Sequence, residues 1–173
     1  MGKRNYLIEG VSGSGKTAVA TELQKRGYHV IHGDRELVYR GDPDTGKPVT
    51  PDTDSPSAEW YSKHQLWDLG KVFAHINNKD VEITFLCGGS RNFSKFIDLL
   101  DGVYILDVDR ETMMKRIDER IAIDPTDFGA THEEKALILH LYETKQDIPS
   151  KGYVINANQP LDMVVDEILG RIQ

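Results

Sequence analysis

The residues best equipped for chemistry stand near the front of the chain, in Gly10-Val11-Ser12-Gly13-Ser14-Gly15-Lys16-Thr17. Their spacing is G-x-x-x-x-G-K-[ST], a composition suited to phosphate. Glycines let successive backbone N–H groups curl around anionic oxygens, and a helix starting behind them adds its positive end. Gly10, Ser12, Gly13, Ser14 and Gly15, with Ala18 just beyond, form the candidate cradle. Lys16 has the reach for β- and γ-phosphates, and the Thr17 hydroxyl suits a Mg²⁺ ion. The base is read from what is missing: Asn78-Lys79-Asp80 is one residue short of N-K-x-D, and no D-x-x-G occurs. These absences turn the expectation from GTP to ATP.

The loop needs a strand before it and a helix behind it, and the pattern supplies both. Asn5–Glu9 reads as a short apolar strand, and 16–26 as a helix with Val19 and Leu23 on one face. Gly27 suits that helix's C-terminus. Further strands are predicted at 28–32, 81–86, 103–108 and 153–156. Between them, helices are predicted at 58–78 (capped by Ser57), 92–100, 110–121 (capped by Asp109) and from Thr131-His-Glu-Glu134, a capping box, to about Asp147. Pro160 opens a last helix with an apolar stripe from Leu161 to Ile172. Residues 41–57 carry four prolines and four aspartates and read as a long loop. Alternating strands and helices predict an α/β three-layer sandwich around a parallel sheet.

Bulk properties narrow the class. At 173 residues, 39% hydrophobic and 28% charged, the chain fits one globular domain. A net charge of −7 argues against nucleic acid as a partner. No apolar run approaches the roughly 20 residues of a membrane span, and Met1-Gly-Lys-Arg4 leads into the first strand without a signal-peptide core. The lone Cys87 excludes an internal disulfide and fits a cytoplasmic protein, monomeric or homodimeric.

With that element order and loop, the chain resembles the small P-loop kinases of metabolites: the adenylate kinase, shikimate kinase and gluconate kinase group. The resemblance covers the whole chain, although only the phosphate loop is highly specific. It implies a P-loop NTPase fold with a five-stranded parallel sheet in the order 2-3-1-4-5, within a single domain spanning 1–173. It also implies an acceptor-binding flap at about 35–78 and a small lid at about 120–132. The implied activity is transfer of the γ-phosphoryl of Mg·ATP to a hydroxyl of a small-molecule acceptor, a nucleoside or sugar-like compound. A nucleoside monophosphate kinase and a non-catalytic nucleotide-binding sensor stand as alternatives.

The resemblance also assigns candidate residues. Asp34, after the second strand, matches an aspartate that meets the acceptor hydroxyl and could accept its proton. A solvated turn aspartate is the plainer reading. Cys87-Gly88-Gly89-Ser90-Arg91 combines the glycine turn of shikimate kinases with the arginine of monophosphate kinases, while Cys87 stands where the latter have aspartate. Gly88 and Gly89 are therefore expected to lie against the acceptor and Arg91 to bind it, unless Arg91 serves a surface ion pair. Arg116 and Arg120, four apart on one helix face, match a pair that packs on adenine and neutralises charge during transfer; helix-surface pairing is the alternative. Asn158 and Pro160 lie in the turn that contacts adenine. Trp60, sharing a helical face with His64 and Trp67, is read as an acceptor wall, or else as core.

Overall fold

The computed structural model describes residues 3–172; Met1, Gly2 and Gln173, and with them the start of the Met1–Arg4 reading, lie outside it. Five parallel strands make the central sheet: β1 (Arg4–Gly10), β2 (His29–His32), β5 (Ile83–Cys87), β6 (Gly102–Asp107) and β7 (Tyr153–Asn156). They lie in the order β2-β5-β1-β6-β7. Counted over these five alone, that is 2-3-1-4-5; the labels shift because β3 (Val38–Arg40) and β4 (Gln65–Trp67) form a separate antiparallel ribbon.

Side chains alternate across the sheet, yet both faces are covered, as a parallel sheet requires. Tyr6, Ile8, Val30, Phe85, Tyr104 and Leu106 enter one core. There they meet α1 (Lys16–Lys25), α5 (Arg110–Ile123), α6 (His132–Thr144) and α7 (Leu161–Arg171). Leu7, Ile31 and Leu86 point the other way, into a smaller core with Trp67, Phe96 and Val72 of α4 (Leu69–Asn77). The three layers of the α/β sandwich follow from this two-sided burial.

Capping residues set the helix ends. Asp109 accepts from Thr112 N at 2.7 Å, and Thr131 with Glu134 forms the expected capping box. Pro160 is the residue before α7, one place earlier than expected. Gly27, at φ 89°, turns the chain out of α1.

The region between β2 and β5 departs most from the pattern. In place of one helix over 58–78 there are α3 (Ala58–Lys63), β4 and α4. Ser57 caps α3 as expected, accepting from Trp60 N, but the helix stops at His64. Asn92 explains the break: its side-chain amide accepts from Trp67 N at 3.1 Å and donates to Trp67 O at 3.0 Å. That amide replaces a neighbouring strand and holds residue 67 extended. Trp67 is therefore fully buried, stacked on Phe96 at 5.6 Å, and cannot share a helical face with Trp60. A short α2 (Gly33–Glu36) was also unanticipated, and 92–100 forms two 3-10 turns instead of an α-helix. Among the described residues no helix is long and apolar enough to cross a membrane.

Candidate functional site

Along the carboxyl ends of the sheet strands runs one cleft of about 1100 Å³. Single small-molecule sites span roughly 300–1,000 Å³, so this cleft stands at the upper end of that range. The whole of Gly10–Val19 lines it, together with Asp34, Gly89, Arg91, Arg116 and Arg120.

At one end the loop wraps the space. Gly13 (φ 81°) and Gly15 (φ 101°) take left-handed conformations that favour glycine. Gly10 has a second reason, since a Cβ there would lie 2.8 Å from the Leu106 carbonyl oxygen. The Lys16 ammonium donates to the carbonyls of Gly10 and Val11 along the loop's rim. Thr17 is exposed along the cleft, and its hydroxyl is a hard oxygen donor of the kind Mg²⁺ takes. Among the described residues no group of three or more His, Cys, Asp or Glu is gathered to hold a metal by protein ligands alone.

Two carboxylates, Asp34 and Glu9, pack against the Gly88-Gly89 turn. Asp34 Oδ1 accepts from Gly89 N at 3.1 Å and from Gln65 Nε2 at 3.3 Å, while Gln65 also donates to Gly89 O at 2.8 Å. A Cβ on Gly88 would lie 2.6 Å from Asp34 Oδ1, and one on Gly89 would lie 2.9 Å from Glu9 Oε1. The glycines are what lets both carboxylates approach. Gly88 itself sits behind Asp34, in a small depression and not on the main cleft wall.

Glu9 was not anticipated. It ends β1 fully buried, with Oε1 accepting from Gly10 N at 2.9 Å and Oε2 without a partner. Burial pushes its carboxyl from 4.5 up to about 8, against the opposing pull of the Lys16 ammonium and the Gly10 N–H. The signal was present: an acidic residue closing the apolar run Tyr6-Leu7-Ile8 directly before a phosphate loop. Cys87, on the neighbouring strand, is buried beside Asp34, and burial holds its thiol far above the ordinary range, so it stays a protonated, inert filler.

Arg116 donates to Ser14 O at 3.2 Å and Ala157 O at 2.7 Å, tying the phosphate loop to the turn before α7. Arg120 pairs with Asp127 at 3.3 Å and donates to the Phe128 carbonyl, anchoring the segment between α5 and α6 over the cleft. In that turn it is Ala157 and Gln159, with Leu161 and Val164 of α7, that line the space. Asn158 does not: its side-chain Oδ1 accepts from Asp109 N at 3.0 Å, bracing the start of α5. Pro160 likewise lies outside the lining, because it is spent as the residue preceding α7.

At the other end, Arg91 is engaged within the protein. It pairs with Asp147 at 3.1 Å and donates to Ser62 Oγ at 2.8 Å, so its charge is matched inside the cleft. Trp60 is turned away from the wall it was expected to form, packed on His64 at 4.6 Å. Because α3 ends at Lys63, Tyr61 and Ser62 face the cleft instead, joined by Gln65 from β4. Glu133, at the start of α6, accepts from Ala58 N at 3.1 Å and joins α3 to α6 across the cleft.

No family model matches the sequence, and no curated protein does. Solved structures do match over nearly the whole chain. A sugar kinase from Janibacter sp. HTCC2649 is 17% identical, with 99% of this chain and 95% of that one covered at a TM-score of 0.58. Shikimate kinase from Bacteroides thetaiotaomicron is 13% identical over 98% of each chain, at 0.56. A gluconokinase from Sinorhizobium meliloti 1021 is 19% identical, covering 96% and 90%, at 0.55. This chain has the α/β fold of the small-molecule P-loop kinases.

Proposed function

We propose that this protein is an ATP-dependent phosphotransferase, moving the γ-phosphoryl of Mg·ATP to a hydroxyl of a small metabolite of nucleoside or sugar-like form. One observation carries the reading: a single cleft joins the phosphate loop, through two central carboxylates, to a second polar chamber. The loop amides and Lys16 hold the phosphates, and Thr17 holds Mg²⁺, which neutralises charge on the β- and γ-oxygens when bound. The adenine lies between Arg116 and the wall of Ala157, Gln159, Leu161 and Val164.

Asp34, fixed by Gly89 N and Gln65, orients the acceptor hydroxyl. As the hydroxyl oxygen bonds to the γ-phosphorus, the bond to the β,γ-bridging oxygen breaks and ADP leaves with that electron pair. The hydroxyl proton passes to a carboxylate. Glu9, whose burial raises its carboxyl to about 8, is placed to accept it. Arg120 offsets charge developing on the phosphoryl, and the Asp127–Phe128 segment it anchors excludes water. Arg91 is already matched by Asp147, which at that residue favours a neutral acceptor over a monophosphate, while Arg35 and Arg40 on the same cleft carry no ion pair among the described residues.

The test is phosphate-31 spectroscopy of the purified protein with Mg·ATP and single candidates from nucleosides, nucleoside monophosphates, sugars and hydroxy acids. A new phosphomonoester signal with a nucleoside or sugar is the expected result. A signal with monophosphates alone would replace this reading with the monophosphate kinase, and bound ATP with no acceptor turned over would leave a nucleotide sensor.

A further inference from the structure

The wall against which the proposed adenine lies offers few groups that could read it. Ala157, Leu161 and Val164 bring apolar side chains, so Gln159 is the one polar side chain of these four. Much of the turn's backbone is already spent. Ala157 N donates to Asp107 O at 2.8 Å, and Ala157 O accepts from Arg116 at 2.7 Å. Asn158 N donates to Asn156 Oδ1 at 3.0 Å, and Pro160 has no N–H to give.

Gln159 is itself held by α7. Its Nε2 donates to Glu167 Oε2 at 2.9 Å. Glu167 stands outside the cleft lining, and its other oxygen pairs with Arg171 Nη2 at 3.3 Å. A carboxylate paired with a guanidinium only accepts, so the amide nitrogen of Gln159 must be the atom that faces it. The carbonyl Oε1 is then carried on the other arm of the amide. Among the described residues no donor meets that oxygen, and, unlike the unpaired oxygens of Glu9 and Asp147, it is not shut off from solvent. A reachable acceptor of fixed direction beside an apolar wall is what orients a ligand in such a site.

We infer that Glu167 sets the base selectivity of the nucleotide site: it holds the Gln159 amide with Oε1 toward the cleft, where that oxygen accepts from the exocyclic amino group of adenine. Guanine and hypoxanthine carry a carbonyl oxygen at the same ring position, so two acceptors would face each other and those bases are rejected. Glu167 is a positioning residue, acting through Gln159 without touching the nucleotide. This rests on the kinase reading for which end of the cleft takes the base, while binding measures it without any transfer.

Calorimetry with Mg²⁺ and ADP, IDP or GDP tests it, because these ligands differ only in the base. Wild-type protein should bind ADP about 10-fold or more tightly than IDP, the scale of one hydrogen bond made against one acceptor left facing another. Glu167→Gln offers the Gln159 amide both a donor and an acceptor, so the amide takes either orientation and the ratio should level. Glu167→Lys offers a donor alone, which turns the amide over and should carry the ratio past unity toward IDP. Gln159→Leu should level it.

No preference in the wild type, or the wild-type ratio retained in either Glu167 variant, would overturn the inference. An equal weakening of ADP and IDP in Glu167→Gln is such a case and would leave Glu167 a structural part of α7. A preference that survives Gln159→Leu would assign the reading of the base to the backbone and overturn it as well. Failure of all three diphosphates to bind would overturn it together with the phosphate-loop assignment. Phosphate-31 spectra separate it from the kinase reading. Discrimination between ADP and IDP without transfer from ATP to any acceptor would uphold Glu167 and sink the kinase, whereas transfer from ATP and ITP with equal kcat/KM would do the reverse.

Discussion

The two ends of the cleft are built on different principles. The phosphate-loop end, the donor end in the proposed reaction, is local: eight consecutive residues, Gly10–Thr17, lie on one strand–loop–helix unit. The acceptor end is assembled from far-apart pieces, with Asp34, Tyr61, Ser62, Gln65, Arg91 and Asp147 arriving from five separate segments. Its precision depends on buried polar contacts such as Asn92 on Trp67 and Arg91 on Asp147. A loop whose geometry follows from its own backbone tolerates change elsewhere, whereas a chamber held by long-range contacts fails when any tie is cut.

The largest expected effect falls where the two ends meet. Glu9→Gln should reduce transfer by about 10²–10⁴-fold while nucleotide binding survives, as loss of a proton acceptor does. In wild type, kcat/KM should rise with pH through about 8, and the variant should lose that rise. If Asp34→Asn abolished the pH rise and Glu9→Gln did not, the proton would belong to Asp34. Stability gives a second readout with a definite sign. The native carboxyl holds its proton up to about 8, whereas the unfolded chain releases it near 4.5, so this group's contribution to stability is full below 4.5 and is lost as pH rises between these values. Thermal melts of Glu9→Gln should lack that decline.

Lys16→Ala attacks the donor end alone. Transfer should drop by about 10²–10³-fold with nucleotide affinity strongly weakened, the scale expected for removing one charge-stabilising donor. The fold should stay intact in circular dichroism; unchanged ATP affinity would break the assignment of the loop.

Trp67→Ala attacks the acceptor end through its foundation. Emptying that fully buried site should cost about 3–5 kcal/mol in denaturant unfolding. Hydrogen exchange should rise first in residues 33–67, with the phosphate loop still protected. Uniform exchange across both ends would contradict the contrast between them.

Gly88→Ala is the mildest of the set. The substitution forces a side chain into φ 136° and places a Cβ against Asp34, at a cost of about 1–3 kcal/mol. It should raise the acceptor KM with little change in ATP affinity.

The same contrast explains what could be read before the structure was known. Helix ends were legible at Asp109, Thr131 and Ser57 because a cap is a contact between residues three apart. The region 58–78 was misread because its apolar spacing satisfies a helix, and only Asn92, 25 residues further on, overrules it. Trp60 was misplaced for the same reason. Glu9 was visible as a charge in an apolar strand, but its isolation from water exists only once β5 and β6 flank it.

Alone, the sequence determined the strand–loop–helix unit around Gly10–Thr17 and the alternating α/β order, because both rest on contacts between near neighbours and on side-chain periodicity. Only the tertiary structure decided that Glu9 and Asp34 both pack against the Gly88-Gly89 turn, and that Arg91 is matched by Asp147. Those facts concern burial and partners drawn from distant segments, and desolvation and pairing are properties of the packed molecule, not of any stretch of its chain.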